Sequence, residues 1–193
     1  MKWVLRIIGG VMALAAVSTL VLWLAGLRPG HGHIATEVLI DRPAPQVFRW
    51  ITTDDLLKKW IGGLTEVELM NPGPNGQPVG ATFRLVEVLG QERTEMGMKV
   101  TRFDVNHDLE IRVWSTGDSK SGFTETAEYR LLEQYGKTHL RFAVQTDYYG
   151  WLPRLSEPLI TVAARRKLKD DLSRLKMLVE VEPLGSNAAL PTK

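Results

Sequence analysis

The sequence predicts an α+β domain in which one curved antiparallel β-sheet, with two short helices, closes on a long C-terminal helix, all preceded by one N-terminal transmembrane helix. Three observations carry this expectation. Residues 7–27 contain no charged side chain, between Lys2 and Arg6 on one side and Arg28 on the other. From residue 64 to 146, short runs of β-forming residues alternate with turn residues, a spacing that implies consecutive hairpins. From Thr161 to Val179, apolar residues recur at steps of three and four, which is one face of a long helix.

A helix rises about 1.5 Å per residue, so the uncharged run spans about 31 Å and matches a hydrocarbon core of about 30 Å. Leu, Val, Ile, Ala and Trp occur all round it, which argues against a half-buried core helix. A cleaved secretory signal competes, but its apolar core usually runs only about 7–15 residues and ends in a small-residue site. The division is therefore an anchor at 1–28, a spacer at 29–33, a folded domain at 34–181 and a disordered tail at 182–193. Lys2 and Arg6 favour a cytoplasmic amino terminus, which places the domain on the extracytoplasmic side of the membrane.

The chain has 24 basic and 22 acidic residues. Lys2 and Arg6 account for the excess, so the remainder is formally neutral and no nucleic-acid partner is expected. Cysteine is absent, which excludes thiolate nucleophiles and zinc–thiolate sites but leaves the redox compartment open.

In the folded part, Ile34, Thr36, Val38 and Ile40 share one face of a first strand. Asp41-Arg42-Pro43-Ala44-Pro45 breaks it, and Val47, Phe48 and Ile51 open a short amphipathic helix. Thr53 is placed to cap a second short helix, Leu56 to Trp60, which Gly62-Gly63 ends. Strands follow at 65–70, 81–89, 92–103, 108–115, 123–132 and 138–146, with Gly-, Pro- or Asn-containing turns between them. Thr161, Leu168, Leu172, Leu175 and Val179 then line the terminal helix, with Pro158 in its first turn, where a missing N–H does no harm. A curved sheet of this kind needs its concave face covered, and only the last helix is long enough. Curvature holds the two apart at the centre, which leaves room for a small-molecule cavity.

Three segments carry a resemblance: Ile40-Asp-Arg-Pro-Ala-Pro-Gln-Val-Phe48, Trp50-Ile-Thr-Thr-Asp-Asp-Leu-Leu-Lys-Lys-Trp60 and Val79-Gly-Ala-Thr-Phe83. They resemble the START and birch-pollen-allergen-like superfamily, also described as SRPBCC or polyketide cyclase/dehydrase-like. The resemblance covers about residues 34–181 and implies a helix-grip fold. It is poorly specific for activity, because one fold hosts many functions. The anchor departs from the simplest members.

The cavity is the first candidate site. Alternation turns Met96 and Met98, then Leu109, Ile111 and Val113, toward it from neighbouring strands. Phe123, Tyr129, Phe142, Val144 and Tyr148 follow from the last two strands, with Trp60 and Phe83 near one end. The plainer alternative is a solid core. The second candidate is the segment Asp147 to Arg154, read as a loop, in which Tyr149, Trp151 and Leu152 are expected to touch lipid at headgroup level, with packing against the start of the last helix as the alternative. The third is the basic cluster Arg165, Arg166, Lys167 and Lys169, continuing to Arg174 and Lys176. It reads as a solvated face balanced by Asp170 and Asp171, with anionic lipid as the alternative.

Catalytic groups are scarce. No Gly-x-Ser-x-Gly elbow is present. His31 and His33 lie in the spacer, His107 at a turn and His139 in a strand, so no metal site is expected. Glu125, on the face of Phe123, Ala127 and Tyr129, is the one candidate acid or base, with Tyr129 as its partner. A strand bulge that sends Glu125 to solvent is the competing reading. Trp114, on the outer face, hints at a protein-binding surface. The expectation is non-catalytic binding of a hydrophobic small molecule or lipid, without a cofactor or an identifiable protein partner, at a membrane held through residues 7–27. A cyclase- or dehydrase-type enzyme and a surface-acting regulatory module are the alternatives.

Overall fold

The computed structural model describes residues 30–117 and 121–183, together with Val17, Thr19 and Leu20, which are helical. The rest of the expected anchor at 7–27, and the tail beyond residue 183, lie outside the described residues. Among the described residues no helix is long and apolar enough to cross a membrane.

Strand β1 (Gly30–Ile40) leads into the short helices α1 (Ala44–Thr52) and α2 (Asp54–Trp60). Six strands follow: β2 (Leu64–Asn71), β3 (Thr82–Leu89), β4 (Glu92–Asp104), β5 (Asp108–Ser115), β6 (Gly122–Gln134) and β7 (Lys137–Tyr149). Helix α3 (Trp151–Val181) is the last element among the described residues. The strands form one antiparallel sheet in the order β1-β7-β6-β5-β4-β3-β2. Consecutive strands thus pair as hairpins, and β1 is brought to the far edge beside β7. Register shifts at Leu64/Glu66 and Leu69/Asn71 in β2, and at Val100/Arg102 in β4, bend the sheet. The two-residue β6–β7 turn puts Tyr135 and Gly136 at φ 53° and 72°, the left-handed pair that a tight hairpin requires.

Helix α1 has no capping side chain of its own, because Pro43 precedes it. Glu133 of β6 supplies the cap, accepting the Ala44 N–H at 2.8 Å. Helix α2 starts after Thr53, whose backbone carbonyl accepts from Leu56 and Leu57 at 2.9 Å while its hydroxyl makes no cap.

Two boundaries differ from expectation, and both bear on the site. The spacer at 29–33 is strand from Gly30 onward: His31, Gly32 and His33 pair with Asp147, Thr146 and Gln145. A long β7 supplies backbone partners that the Gly- and His-rich stretch does not advertise. The loop expected at 147–154 is absent, because β7 runs to Tyr149, Gly150 turns at φ 86°, and α3 begins at Trp151. Pro158 consequently lies inside α3, where its ring removes the hydrogen bond to the Arg154 carbonyl. The early part of α3 covers a hollow instead of a packed core, so it leaves no apolar period to read.

The space between sheet and helices has two ends. At one, Ile40, Val47, Phe48, Leu140, Leu175 and Val179 are 2% exposed or less and form a solid core. Phe48 and Phe103 meet edge to face there, with ring centroids 5.2 Å apart. At the other end lies the cavity.

Candidate ligand cavity

The cavity measures about 760 Å³, within the range of small-molecule pockets. Its floor is the concave face of the sheet: Ile34 of β1, Leu85 of β3, Met96 of β4, Ile111 and Val113 of β5, and further residues of β6 and β7. Its roof is the amino-terminal part of α3, through Leu152, Ser156, Ile160, Thr161 and Ala164. Trp60 and Ile61 wall the inner end. Exposed Leu152 and Ile160 on α3, and Glu92 across from them at the start of β4, mark the mouth.

Of the side chains expected at the cavity, Trp60, Met96, Ile111, Val113, Phe123, Tyr129, Phe142, Val144 and Tyr148 line it. Phe83, Met98 and Leu109 do not. They face the same way and pack in the same apolar clusters as the lining residues, Leu109 and Phe83 in or against one and Met98 with Leu64, Leu85 and Val113, but the hollow stops short of them. Alternation reports the direction of a side chain and is silent on whether the space in front of it is filled.

Glu125 overturns the bulge reading. The β6 register is unbroken around it, opposite Val113 on one side and Thr146 on the other, and its carboxylate lines the cavity. The Thr146 hydroxyl donates to Glu125 Oε2 at 3.3 Å. Burial pushes the Glu125 carboxyl above its ordinary 4.5; the Thr146 hydrogen bond opposes this, the Glu87 charge adds to it and Lys167 opposes it. Burial also raises the Tyr129 hydroxyl, with the charges of Glu125 and Asp171 adding, so the phenol stays neutral. Tyr129 stacks at a tilt on Phe142, centroids 4.2 Å apart.

One wall is polar. Lys167 reaches Asp171 at 2.9 Å and Glu87 at 3.0 Å, joining α3 to β3. Burial would lower the Lys167 pKa, but hydrogen bonds to Asp171 and Glu87 reverse the shift and hold it as an ammonium. Buried Asp171 also accepts the Gly62 N–H at 2.9 Å, and Arg174 donates to the Trp60 carbonyl at 3.2 Å. These bonds fasten the middle of α3 to the end of α2.

The expected lipid-contact residues separate. The Tyr149 hydroxyl reaches across Gly122 to the Ser115 hydroxyl at 2.9 Å. A Cβ at Gly122 would lie 2.1 Å from Ser115 Oγ, so only glycine permits the crossing. Leu152 lines the cavity mouth, and Trp151 stands 67% exposed. His31 and His33 lie on the exposed side of β1, where His31 Nδ1 is 2.6 Å from Asp147. Trp114 lies over Gly97 of the neighbouring strand, where a Cβ would come within 2.3 Å of the indole. The outer face around it carries ion pairs of Arg84 with Glu66, Glu68 and Glu95.

Sequence reasoning missed Ile34, Leu85, Glu87 and Thr146, together with Ser156 and Ile160 of α3. Period-two alternation in β1, β3 and β7 could have supplied the first four. Thr161 and Leu168 fell on the face read as inward and Leu152 was singled out for lipid contact, whereas Ser156 and Ile160 escaped because the helix start was misplaced.

A seven-stranded antiparallel sheet curved around a long C-terminal helix, with a hollow between them, defines the helix-grip class. The model of the family described as polyketide cyclase / dehydrase and lipid transport matches residues 31–180, and the chain belongs to that family. Among solved structures, a conserved protein from Geobacillus kaustophilus superposes with a TM-score of 0.63 at 12% identity, over 77% of this chain and 94% of that one. The ZhuI aromatase/cyclase from a Streptomyces species gives 0.61 at 15% identity, over 78% and 94%. Ara h 8.0201 gives 0.60 at 15% identity, over 78% and 98%. At these identities the likeness is one of fold. A comparison with curated proteins finds no match.

Proposed function

We propose that this protein binds a hydrophobic small molecule or lipid in the cavity without changing it chemically. Residues 7–27 hold the chain at a membrane, with the domain on the extracytoplasmic side. The observation that carries the reading is a hollow of about 760 Å³ whose walls are mostly apolar side chains. Family membership supports it, since lipid transport is part of the family's description. An apolar ligand that buries about 300 Å² of its surface gains about 7 kcal/mol from leaving water, before association costs are subtracted. Tethering keeps the cavity at high effective concentration near its lipid source.

A fluorescence titration with N-phenyl-1-naphthylamine tests this. Saturable binding of one probe per chain is expected, and A127F, which fills the cavity from a residue 2% exposed, should abolish it. M96W narrows the same space from a half-buried position and serves where A127F folds poorly. Binding that ignores both substitutions contradicts the proposal.

A second reading has one observation in its favour: Glu125 faces the cavity with a raised pKa, as an internal general acid would. An enzyme of the cyclase or dehydrase type would lose turnover in E125Q while retaining probe binding. A purified protein that converts no polyketide-like substrate removes this alternative.

A further inference from the structure

The amino-terminal half of α3 leaves its outward face uncovered. Trp151, Leu159 and Val162 are 67%, 78% and 64% exposed. At about 100° per residue they fall on one side of the helix, and the same side continues into Arg165, Arg166 and Lys169, an arc of about 120° in all. These three basic residues are exposed, and among the described residues no carboxylate forms an ion pair with them. Lys167 behaves differently, turning inward to Glu87 and Asp171. The basic cluster therefore splits into an internal Lys167, with Arg174 and Lys176 paired to Asp171 and Glu180, and three outward charges, Arg165, Arg166 and Lys169, that form a solvated face with exposed Asp170 beside them.

Chain connectivity says what covers this face. The uncharged run 7–27 stops three residues before Gly30, a gap the backbone spans in about 10 Å at most. Gly30 pairs with Tyr148 at the end of β7, and Trp151 begins α3 three residues later. A bilayer that holds residues 7–27 therefore lies beside the start of α3. The order of side chains along the stripe fits that surface. Apolar residues come first, nearest the membrane exit, and cations follow where anionic headgroups would meet them.

We propose that Trp151, Leu159 and Val162, with Arg165, Arg166 and Lys169, dock on the surface of an anionic lipid bilayer. Leu152, which lies about 20° beyond the edge of this stripe, belongs to the cavity lining, so docking brings the mouth beside the membrane at the start of α3. An apolar ligand then moves between bilayer and cavity along α3 without crossing bulk water. This inference rests on the anchored reading and adds to it the surface, the lipid charge and the orientation.

The chain has no cysteine, so single labels are clean. L159C and Y135C, each carrying an environment-sensitive fluorophore, are placed in full-length protein reconstituted into phosphatidylcholine vesicles with or without phosphatidylglycerol. Acyl-brominated lipid is the quencher. Tyr135 is fully exposed in the turn before β7, a strand about 40 Å long whose other end leads to α3, and serves as the control. The L159C label should be quenched in anionic vesicles while the Y135C label is not. R165A/R166A should shift the docked-to-undocked ratio about 30-fold toward undocked, since each near-surface basic residue contributes about a fivefold preference. An L159C label as unquenched as Y135C overturns the docking surface, and equal quenching in neutral vesicles overturns its charge selectivity. Co-flotation with neutral vesicles reports the anchor separately, and probe titration reports the cavity, so failure of either is told apart from failure of the stripe.

Discussion

The two ends of the interior are built from the same strands by the same alternation, yet one is solid and the other hollow. At the solid end, α1, α2 and the carboxyl-terminal half of α3 press Phe48, Trp50, Leu172, Leu175 and Val179 onto Ile40, Leu109, Leu131 and Leu140. At the hollow end the first half of α3 lies over Ile34, Val113, Ala127 and Val144, and several of its side chains at the roof are small or polar, such as Ser156, Thr161 and Ala164. The covering element, and not the sheet, decides which end is filled. Structure at the hollow end is held by the polar fastening of Asp171 and Lys167 and by the strand ladder of β1 on β7.

The largest effect expected from this contrast is in stability. Leu175→Ala removes a side chain that is 0% exposed at the solid end and should cost about 2–5 kcal/mol in chemical denaturation. Val144→Ala, on the cavity wall, should cost clearly less, about 1 kcal/mol, because that side chain already lacks packing partners on one side. Equal losses would mean that the hollow end is packed after all.

Next in size is the fastening. Asp171→Ala strips the Gly62 N–H of its acceptor and Lys167 of one partner, and should destabilise by about 1–3 kcal/mol. It should also raise hydrogen exchange in α3 more than in β4 and β5. A uniform rise across the sheet would show that Asp171 serves the whole core.

The smallest effect is pH-dependent. Since burial raises the Glu125 carboxyl above 4.5, ionising it opposes folding. Below about 4.5 the residue is neutral in both folded and unfolded chains and costs nothing; as pH rises through the raised folded value the penalty grows to its full size. E125Q should match the parent in acid and become the more stable of the two toward neutral pH, read from denaturation midpoints across a pH series. A gap that stays constant with pH would place Glu125 in contact with solvent.

The contrast also explains what could be read in advance. The sheet, its hairpins and the two short helices were legible because turn residues and period-two alternation are local signals: Leu109, Ile111 and Val113 point inward as expected. The cavity boundary was not legible. Leu109 and Val113 are alike in pattern and differ only in what packs above them, which is set by α1 and α2 at long range. The start of α3 was hidden for a related reason, since a helix over a hollow beneath an exposed outer face has no buried stripe to reveal it. At Glu125 alternation alone sufficed, since β6 has no bulge there and the side chain faces the cavity as its position in the strand implies.

Native mass spectrometry of the full-length chain, released from a bilayer and compared with A127F, addresses the hollow most directly. The account predicts one apolar molecule retained per parent chain and none in the filled variant. A parent that emerges at its bare polypeptide mass under conditions that keep it folded, and that takes up no added lipid, would contradict it.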